Sequence, residues 1–318
     1  MLGWLVCWKL PRSAQLEVTT ICNLSCPLCT THVAPRDVRQ LSQAHIENVT
    51  AGCGHRLKVV NFHLLGEPLM HRDLFRFVRH CEAAGVRTTF STNGMLIDRH
   101  VDELIDSGLS FLSIAIDGAN AADYGRYRIG GDWEKVVRNT RALLAARRAR
   151  GVSHPVIQVQ MVMFSYNEDN ERACRAFLAD LGADIVSFKR PSYIAESTQA
   201  SERFLAQVDH HGAAERRFAR PIGDPAKLYR NLRMCPQLER ATVLSDGKVV
   251  ACCMDANGET AFGNVNETPF RSLWRGPAHR DLVARFMRRD LSTCEHCTLG
   301  YRDLDAEPAP LADDAPAG

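Results

Sequence analysis

The 318-residue chain lacks an excess of charge of either sign: 39 Lys and Arg face 37 Asp and Glu, a formal net charge of +2. That balance removes the broad field by which proteins hold nucleic acid or an anionic membrane, so neither is expected as a partner. Long apolar runs are also missing. The apolar start, Met1 to Leu10, is far short of the ~20 residues of a membrane-spanning helix and has neither a basic leader region nor a small-residue cleavage site. It is expected to form an N-terminal arm, residues 1–14, of a cytoplasmic protein. Lysine is scarce, and arginine supplies most of the basic residues; this preference carries no functional weight. The end, 301–318, is rich in Ala, Asp and Pro without an apolar period and is expected to be disordered.

Cysteine is abundant, at twelve residues. With no export signal, a disulfide framework is not expected. The cysteines fall in close triplets and pairs, a pattern that points to a metal ion or cluster.

From residue 15 to 190, β-like runs alternate with amphipathic helical stretches. The expected strands are Gln15–Thr19, Val59–Leu64, Arg87–Ser91, Phe111–Ile116, Val156–Val162 and Ile185–Lys189. Helices are expected at Asp73–Ala84, Asp98–Ser107, Trp133–Arg150 and Asn170–Leu181, with N-caps at Asp98 and Asp169–Asn170 and C-caps at Gly54, Gly85, Gly108, Gly151 and Gly182. Six βα units imply an α/β fold with a parallel sheet and right-handed crossovers. Periodicity alone leaves a doubly wound sheet and a barrel open. Four unusual segments follow successive strands: Cys22–Cys29, Gly66-Glu67-Pro68, Ser91-Thr92-Asn93-Gly94 and Asp117-Gly118. Strand C-termini of βα barrels share one rim, so these four describe one site.

Cys22, Cys26 and Cys29 form a C-x3-C-x2-C loop stiffened by Pro27. Such a loop can give three thiolates to an iron–sulfur cluster and leave one iron open. A structural zinc ion is the alternative, but it leaves the other three loops unexplained.

These motifs together resemble the radical S-adenosylmethionine superfamily. Glu17 through Cys29 is similar to the family's first strand and cluster loop, and Gly66, Glu67 and Pro68 to its motif for the methionine amino group. Ser91, Asn93 and Gly94 resemble its ribose-side strand end. Asp117-Gly118 with Tyr127-Arg128 and Gly130-Gly131 resembles the segment where an arginine meets the methionine carboxylate. The resemblance assigns that role to Arg128, with Arg126 as the nearby alternative. It implies a partial (β/α)6 TIM-like barrel over 15–190, a [4Fe–4S] cluster, S-adenosyl-L-methionine, and an electron donor such as flavodoxin or ferredoxin. One departure is Ala115 in Ala-Ile-Asp-Gly, where relatives often carry serine.

Beyond a helical connector, 191–230, lies a smaller module, 231–300. Cys235, Gly247 and Cys252 follow C-x11-G-x4-C around the hairpin signal Ser245-Asp246-Gly247, and Asn257-Gly258 marks a possible second turn. Cys294-x2-Cys297 closes the set. Four such thiolates suit either zinc or a fully ligated cluster. The arrangement resembles the "twitch" module, the one-cluster form of the SPASM appendage, which implies a second [4Fe–4S] cluster on Cys235, Cys252, Cys294 and Cys297. If Cys252 and Cys253 share a strand they face opposite ways. Cys253 is then either a spare thiol or a hydrogen-atom donor, a role that the weak S–H bond suits. Cys7, Cys53, Cys81 and Cys174 are expected to be core or surface thiols.

One-cluster enzymes of this size resemble sugar and aminocyclitol enzymes of aminoglycoside pathways, of the neomycin C epimerase and 2-deoxy-scyllo-inosamine dehydrogenase types. The resemblance implies a small-molecule substrate, with epimerisation through Cys253 leading and oxidation of a secondary alcohol second. A peptide-modifying enzyme and a non-enzymatic zinc protein are the readings from other classes.

Overall fold

A computed structural model describes residues 9–29, 31, 36–189 and 235–295. Most of the expected N-terminal arm, the helical connector, Cys7, Cys297 and the tail lie outside them.

Six parallel strands come first: β1 (Ser13–Leu16), β2 (Val59–Asn61), β3 (Arg87–Thr92), β4 (Phe111–Ala115), β5 (Val156–Val162) and β6 (Ile185–Lys189). They pair in chain order. A doubly wound sheet reverses its strand order at a switch point; this sheet does not, so the fold is a partial barrel. Leu16, Val18, Val60, Phe62, Phe90, Ile114 and Val159 point outward and are buried in one core with helix residues Ile46, Phe77 and Leu143. Alternate residues face the lumen, among them Gln15, Asn61, Ser113 and Gln160.

The C-terminal module continues the same sheet. β7 (Ala241–Val243) lies parallel to β1, and β8 (Lys248–Val250) and β9 (Gly263–Asn264) follow antiparallel. Ser245-Asp246-Gly247 makes the expected hairpin, with Gly247 at φ 86°, where only glycine avoids strain. Asn257-Gly258 does not make a tight second hairpin. It lies in a long connection organised by buried Asp255, whose carboxylate accepts the Gly258, Glu259 and Thr260 N–H groups at 2.6–2.9 Å.

Strand and helix limits differ from expectation mainly at their ends. β1 and β2 stop early because the chain leaves the ladder to form the rim loops. Asp98 caps nothing: it lies in the short turn Ile97–Arg99, and the helix Val101–Asp106 begins after His100. Asn170 does occupy the N-cap of Glu171–Asp180, though without a side-chain cap bond. The five expected helix-terminal glycines all have positive φ, which releases each chain end from its helix. No helix among the described residues is long and apolar enough to cross a membrane.

In helix Pro277–Arg288, His279 is 1% exposed. Its ring lies 4.5 Å from that of Phe262 and 4.3 Å from that of Trp274. Its Nδ1 donates to the Trp274 carbonyl at 2.6 Å, and burial pushes its pKa down to about 4. The folded chain thus binds this proton less readily than the unfolded chain, whose histidine titrates near 6.5. The stabilisation is complete above pH 6.5 and shrinks as pH falls toward 4, by up to about 3 kcal/mol. The Tm of His279→Gln is therefore expected to fall less between pH 7 and pH 5 than that of the parent. The variant keeps part of the slope because burial also lowers the pKa of His63 and His71. Equal slopes in thermal unfolding would contradict this account.

Candidate functional site

The chain leaves β1 with Glu17 buried and reaches Cys22 over the barrel rim. The loop folds back on itself: Leu24 N–H lies 3.5 Å from Cys22 Sγ, and Cys29 N–H donates to the Cys26 carbonyl at 3.0 Å. Leu24 and Leu28 are buried anchors, and Ser25 N–H is held by the Ile129 carbonyl at 2.9 Å.

The loop after β2 packs directly on this one. Gly66 has φ 72°, and a Cβ there would fall 2.3 Å from the Thr19 carbonyl oxygen. Glu67 N–H donates to the Ile21 carbonyl at 2.8 Å. The Glu67 carboxylate is 2% exposed and already oriented. Oε1 accepts from Leu69 N–H at 3.1 Å and Thr92 Oγ1 at 2.8 Å, and Oε2 accepts from Asn93 N–H at 2.8 Å. Burial raises its pKa, and the three donors work against that rise. Pro68 opens the short turn Pro68–Met70 that Glu67 caps.

Asn93, past the end of β3, donates to Asn23 Oδ1 at 2.8 Å, with its Nδ2 4.0 Å from Cys22 Sγ. Ser91 lies in β3 opposite Ser113 of β4. Past β4, Asp117 is fully buried. Its Oδ2 accepts from Arg128 Nε at 2.6 Å and its Oδ1 from Val162 N–H at 2.7 Å. Arg128 Nη1 lies 3.7 Å from Cys26 Sγ. The guanidinium thus bridges the acid and the cysteine loop, with one edge left for an anionic group. Arg126 stacks over the Tyr166 ring at 4.9 Å instead.

The residues present fit a cluster with an open iron. Burial pushes the Cys22 thiol up to about 11 and the Cys26 thiol upward as well, so thiolates persist here only against a bound cation. N–H donors already point at both sulfurs, and such bonds tune cluster ligands. Among the described residues no three Cys, His, Asp or Glu side chains converge on a point that a single metal ion could fill.

In the C-terminal module the strand ends at Val250, so Cys252 and Cys253 are not strand neighbours facing opposite ways. Cys252 opens a turn, with Asp255 N–H donating to its carbonyl at 3.2 Å. Met254 N–H lies 3.4 Å from Cys252 Sγ, the same two-residue N–H to sulfur geometry as Leu24 on Cys22. Cys235 and Cys294 pack against the common core.

Three features escaped the sequence. Thr92, between Ser91 and Asn93, holds Glu67 Oε1 at 2.8 Å. His63 faces the lumen beyond β2, and burial with nearby Lys189 and Arg128 lowers its pKa to about 4. Glu17 carries an ion pair from Arg36 and accepts from Ser245 N–H at 3.0 Å and Oγ at 2.8 Å. No local signal relates residues 228 positions apart.

Comparison with known proteins identifies the family. Residues 16–176 match the family model described as the radical SAM superfamily, and residues 235–298 match SPASM, an iron–sulfur cluster-binding domain. An AdoMet-dependent heme synthase of Methanosarcina barkeri is 32% identical over 123 residues, 37% of this chain and 34% of the relative. The chain spans only 32% to 56% of the first curated relatives it matches. Among solved structures, BtrN in complex with AdoMet and 2-DOIA superposes with a TM-score of 0.51 at 17% identity, covering 91% of this chain and 94% of that one. SuiB of Streptococcus suis bound to precursor peptide SuiA gives 0.64 at 14%, covering 91% and 71%. At these identities the likeness is one of fold.

Two outcomes are expected. Gly66→Ala, by strain and by collision with the Thr19 carbonyl, should cost at least about 2 kcal/mol in urea unfolding. Cys252→Ala should remove about half of the iron bound after anaerobic reconstitution, whereas Cys253→Ala should keep it all; the reverse result would exchange their roles.

Proposed function

Since the chain belongs to the radical S-adenosylmethionine superfamily, we propose that it epimerises a carbon of a sugar or aminocyclitol in an aminoglycoside-type molecule, with Cys253 as hydrogen-atom donor. In this reading Cys22, Cys26 and Cys29 hold the [4Fe–4S] cluster. S-adenosylmethionine bound there supplies a carbon radical able to remove hydrogen from an unactivated C–H bond. Glu67 and the neighbouring Gly66 and Pro68 position the methionine amino group, Arg128 held by Asp117 takes its carboxylate, and Ser91 and Asn93 lie on the ribose side. Cys235, Cys252, Cys294 and Cys297 hold the auxiliary cluster.

One observation supports the reading: Cys22 follows the C-terminal end of β1, whereas Cys252 follows β8 near the level at which β1 begins. The chain leaves β1 upward to Cys22. β8 runs antiparallel to β7, with Val250 opposite Thr242 and Thr242 opposite Gln15 of β1. The residues after Val250 therefore head toward the level of Ser13, where β1 begins. From there to Thr19 is roughly 20 Å, at about 3.3 Å per residue. A substrate between the ends can lose hydrogen from one face and regain it from the other, which is what inversion requires. Gln15, Asn61, Ser113 and Gln160 line the lumen with neutral hydrogen-bonding groups, suited to a hydroxyl-rich ring. BtrN, whose structure holds 2-DOIA, supports a small-molecule substrate.

Cys253 gives its hydrogen to the substrate carbon, and one electron and one proton then restore the thiol. The test is turnover in deuterated water with candidate aminoglycosides. Wild type should place deuterium at one carbon. Cys253→Ala should lose product more than about 100-fold while still forming 5′-deoxyadenosine. A ketone without solvent deuterium would assign an alcohol dehydrogenase instead, and modification of a precursor peptide would favour the activity class suggested by SuiB.

A further inference from the structure

At the end of the barrel opposite the Cys22 loop, Arg12, His55, Arg56 and Lys58 line an open pocket of about 220 Å³. Lys58 N–H donates to the Arg12 carbonyl at 2.8 Å, so the backbone leading into β1 and β2 sets these two residues side by side. Arg56 is fixed by its Nε–H bond to the Leu10 carbonyl at 3.0 Å. Among the described residues no carboxylate lines the pocket or pairs with these side chains. Elsewhere on the surface arginines do find acids, as Arg141 does with Asp180 at 2.8 Å and Arg150 with Asp106 at 2.6 Å. In a chain of net charge +2, three uncompensated cations in one pocket make a local positive field that an anionic surface would satisfy.

We propose that this pocket is the docking surface for an acidic one-electron carrier protein, which delivers its electron to the auxiliary centre. The inference rests on the iron–sulfur reading of Cys235, Cys252, Cys294 and Cys297. Arg12 immediately precedes Ser13, and Cys252 lies near the same level of the sheet. β7 alone separates β1 from β8, a sideways distance of about 10 Å at two strand spacings. The Cys22 loop is at the far end, so an electron entering from this face meets the auxiliary centre first. The electron balance is simple: the carrier loses one electron, and the auxiliary centre would pass it on to the Cys22 centre, where formation of 5′-deoxyadenosine consumes it. Rim charges of this kind act mainly on association rate and salt dependence.

The test compares two reductants on the full-length, reconstituted enzyme. Arg12→Glu/Lys58→Glu is set against the control Arg76→Glu/Arg79→Glu, which reverses two exposed arginines of helix Leu74–Ala83. With reduced flavodoxin, the pocket variant should need more than tenfold more carrier for half-maximal 5′-deoxyadenosine formation, and its rate should lose most of its salt dependence. With dithionite it should match the parent within twofold, and the control should match in both arms. Calorimetric titration with flavodoxin at low salt should show binding to the parent and not to the pocket variant, whether or not 5′-deoxyadenosine forms. Equal flavodoxin dependence in parent and pocket variant overturns the proposal, as does an equal loss in the control or in the dithionite arm. Inorganic phosphate bound by the parent and lost in the variant, with flavodoxin unaffected, would make this a small-anion site and overturn docking. Absence of 5′-deoxyadenosine from the parent with dithionite would instead strike the functional reading above.

Discussion

The buried carboxylate of Glu17 fixes the relation on which the molecule depends. It sits at the end of β1, five residues before Cys22, and it has no solvent to share its charge. Arg36, in the segment after the cysteine loop, supplies the countercharge, and Ser245 at the tip of the β7–β8 hairpin supplies two hydrogen bonds. A buried charge this well paired resists separation, because removing any one partner leaves the others uncompensated. One side chain thereby ties together the start of the cysteine loop, its exit, and the C-terminal module. The Glu17 N–H bond to the Val243 carbonyl at 2.9 Å reinforces the same junction. The module is consequently an extension of the barrel sheet.

The rim shows the same economy. Glu67 and Asp117 are buried acids whose donors come from neighbouring segments: Thr92 and Asn93 at the end of β3 for the first, Arg128 after helix Ala121–Tyr127 and the Val162 N–H of β5 for the second. Their orientations are settled by protein contacts, so a ligand meets them preorganised. Asn93 and Arg128 then reach the sulfurs of Cys22 and Cys26 from two sides. The second, third and fourth strand ends thus position the loop of the first. Gly66 makes this possible, because no side chain fits where its backbone touches the Thr19 carbonyl.

Much of this was legible in the chain, for physical reasons. Strong alternation and glycine at helix ends placed β3 through β6 within one residue at each end. The order of the four rim motifs followed from their positions after successive strands. What could not be read depends on separation or on competition. Barrel and doubly wound sheet share a period, and only strand order distinguishes them. Glu17 and Ser245 carry no local mark of one another. Arg126 and Arg128 differ by two positions, and of the two it is Arg128 that pairs with the fully buried Asp117. The assumption that Cys252 and Cys253 lie in a strand failed because Asp255 draws the chain into a turn.

That turn also changes what Cys253 can be. In a strand, facing would be fixed by alternation, and the neighbour of a cluster ligand would necessarily point away from the cluster. In a turn no such alternation applies, and the local path of the chain is shaped by Asp255, which gathers the Gly258, Glu259 and Thr260 amides. The level of the turn comes separately, from the pairing of β8 with β7 and of β7 with β1. Position along the barrel and the local path of the chain therefore have different origins. A relative could keep the barrel and the β7–β8 hairpin and alter only the 251–262 connection.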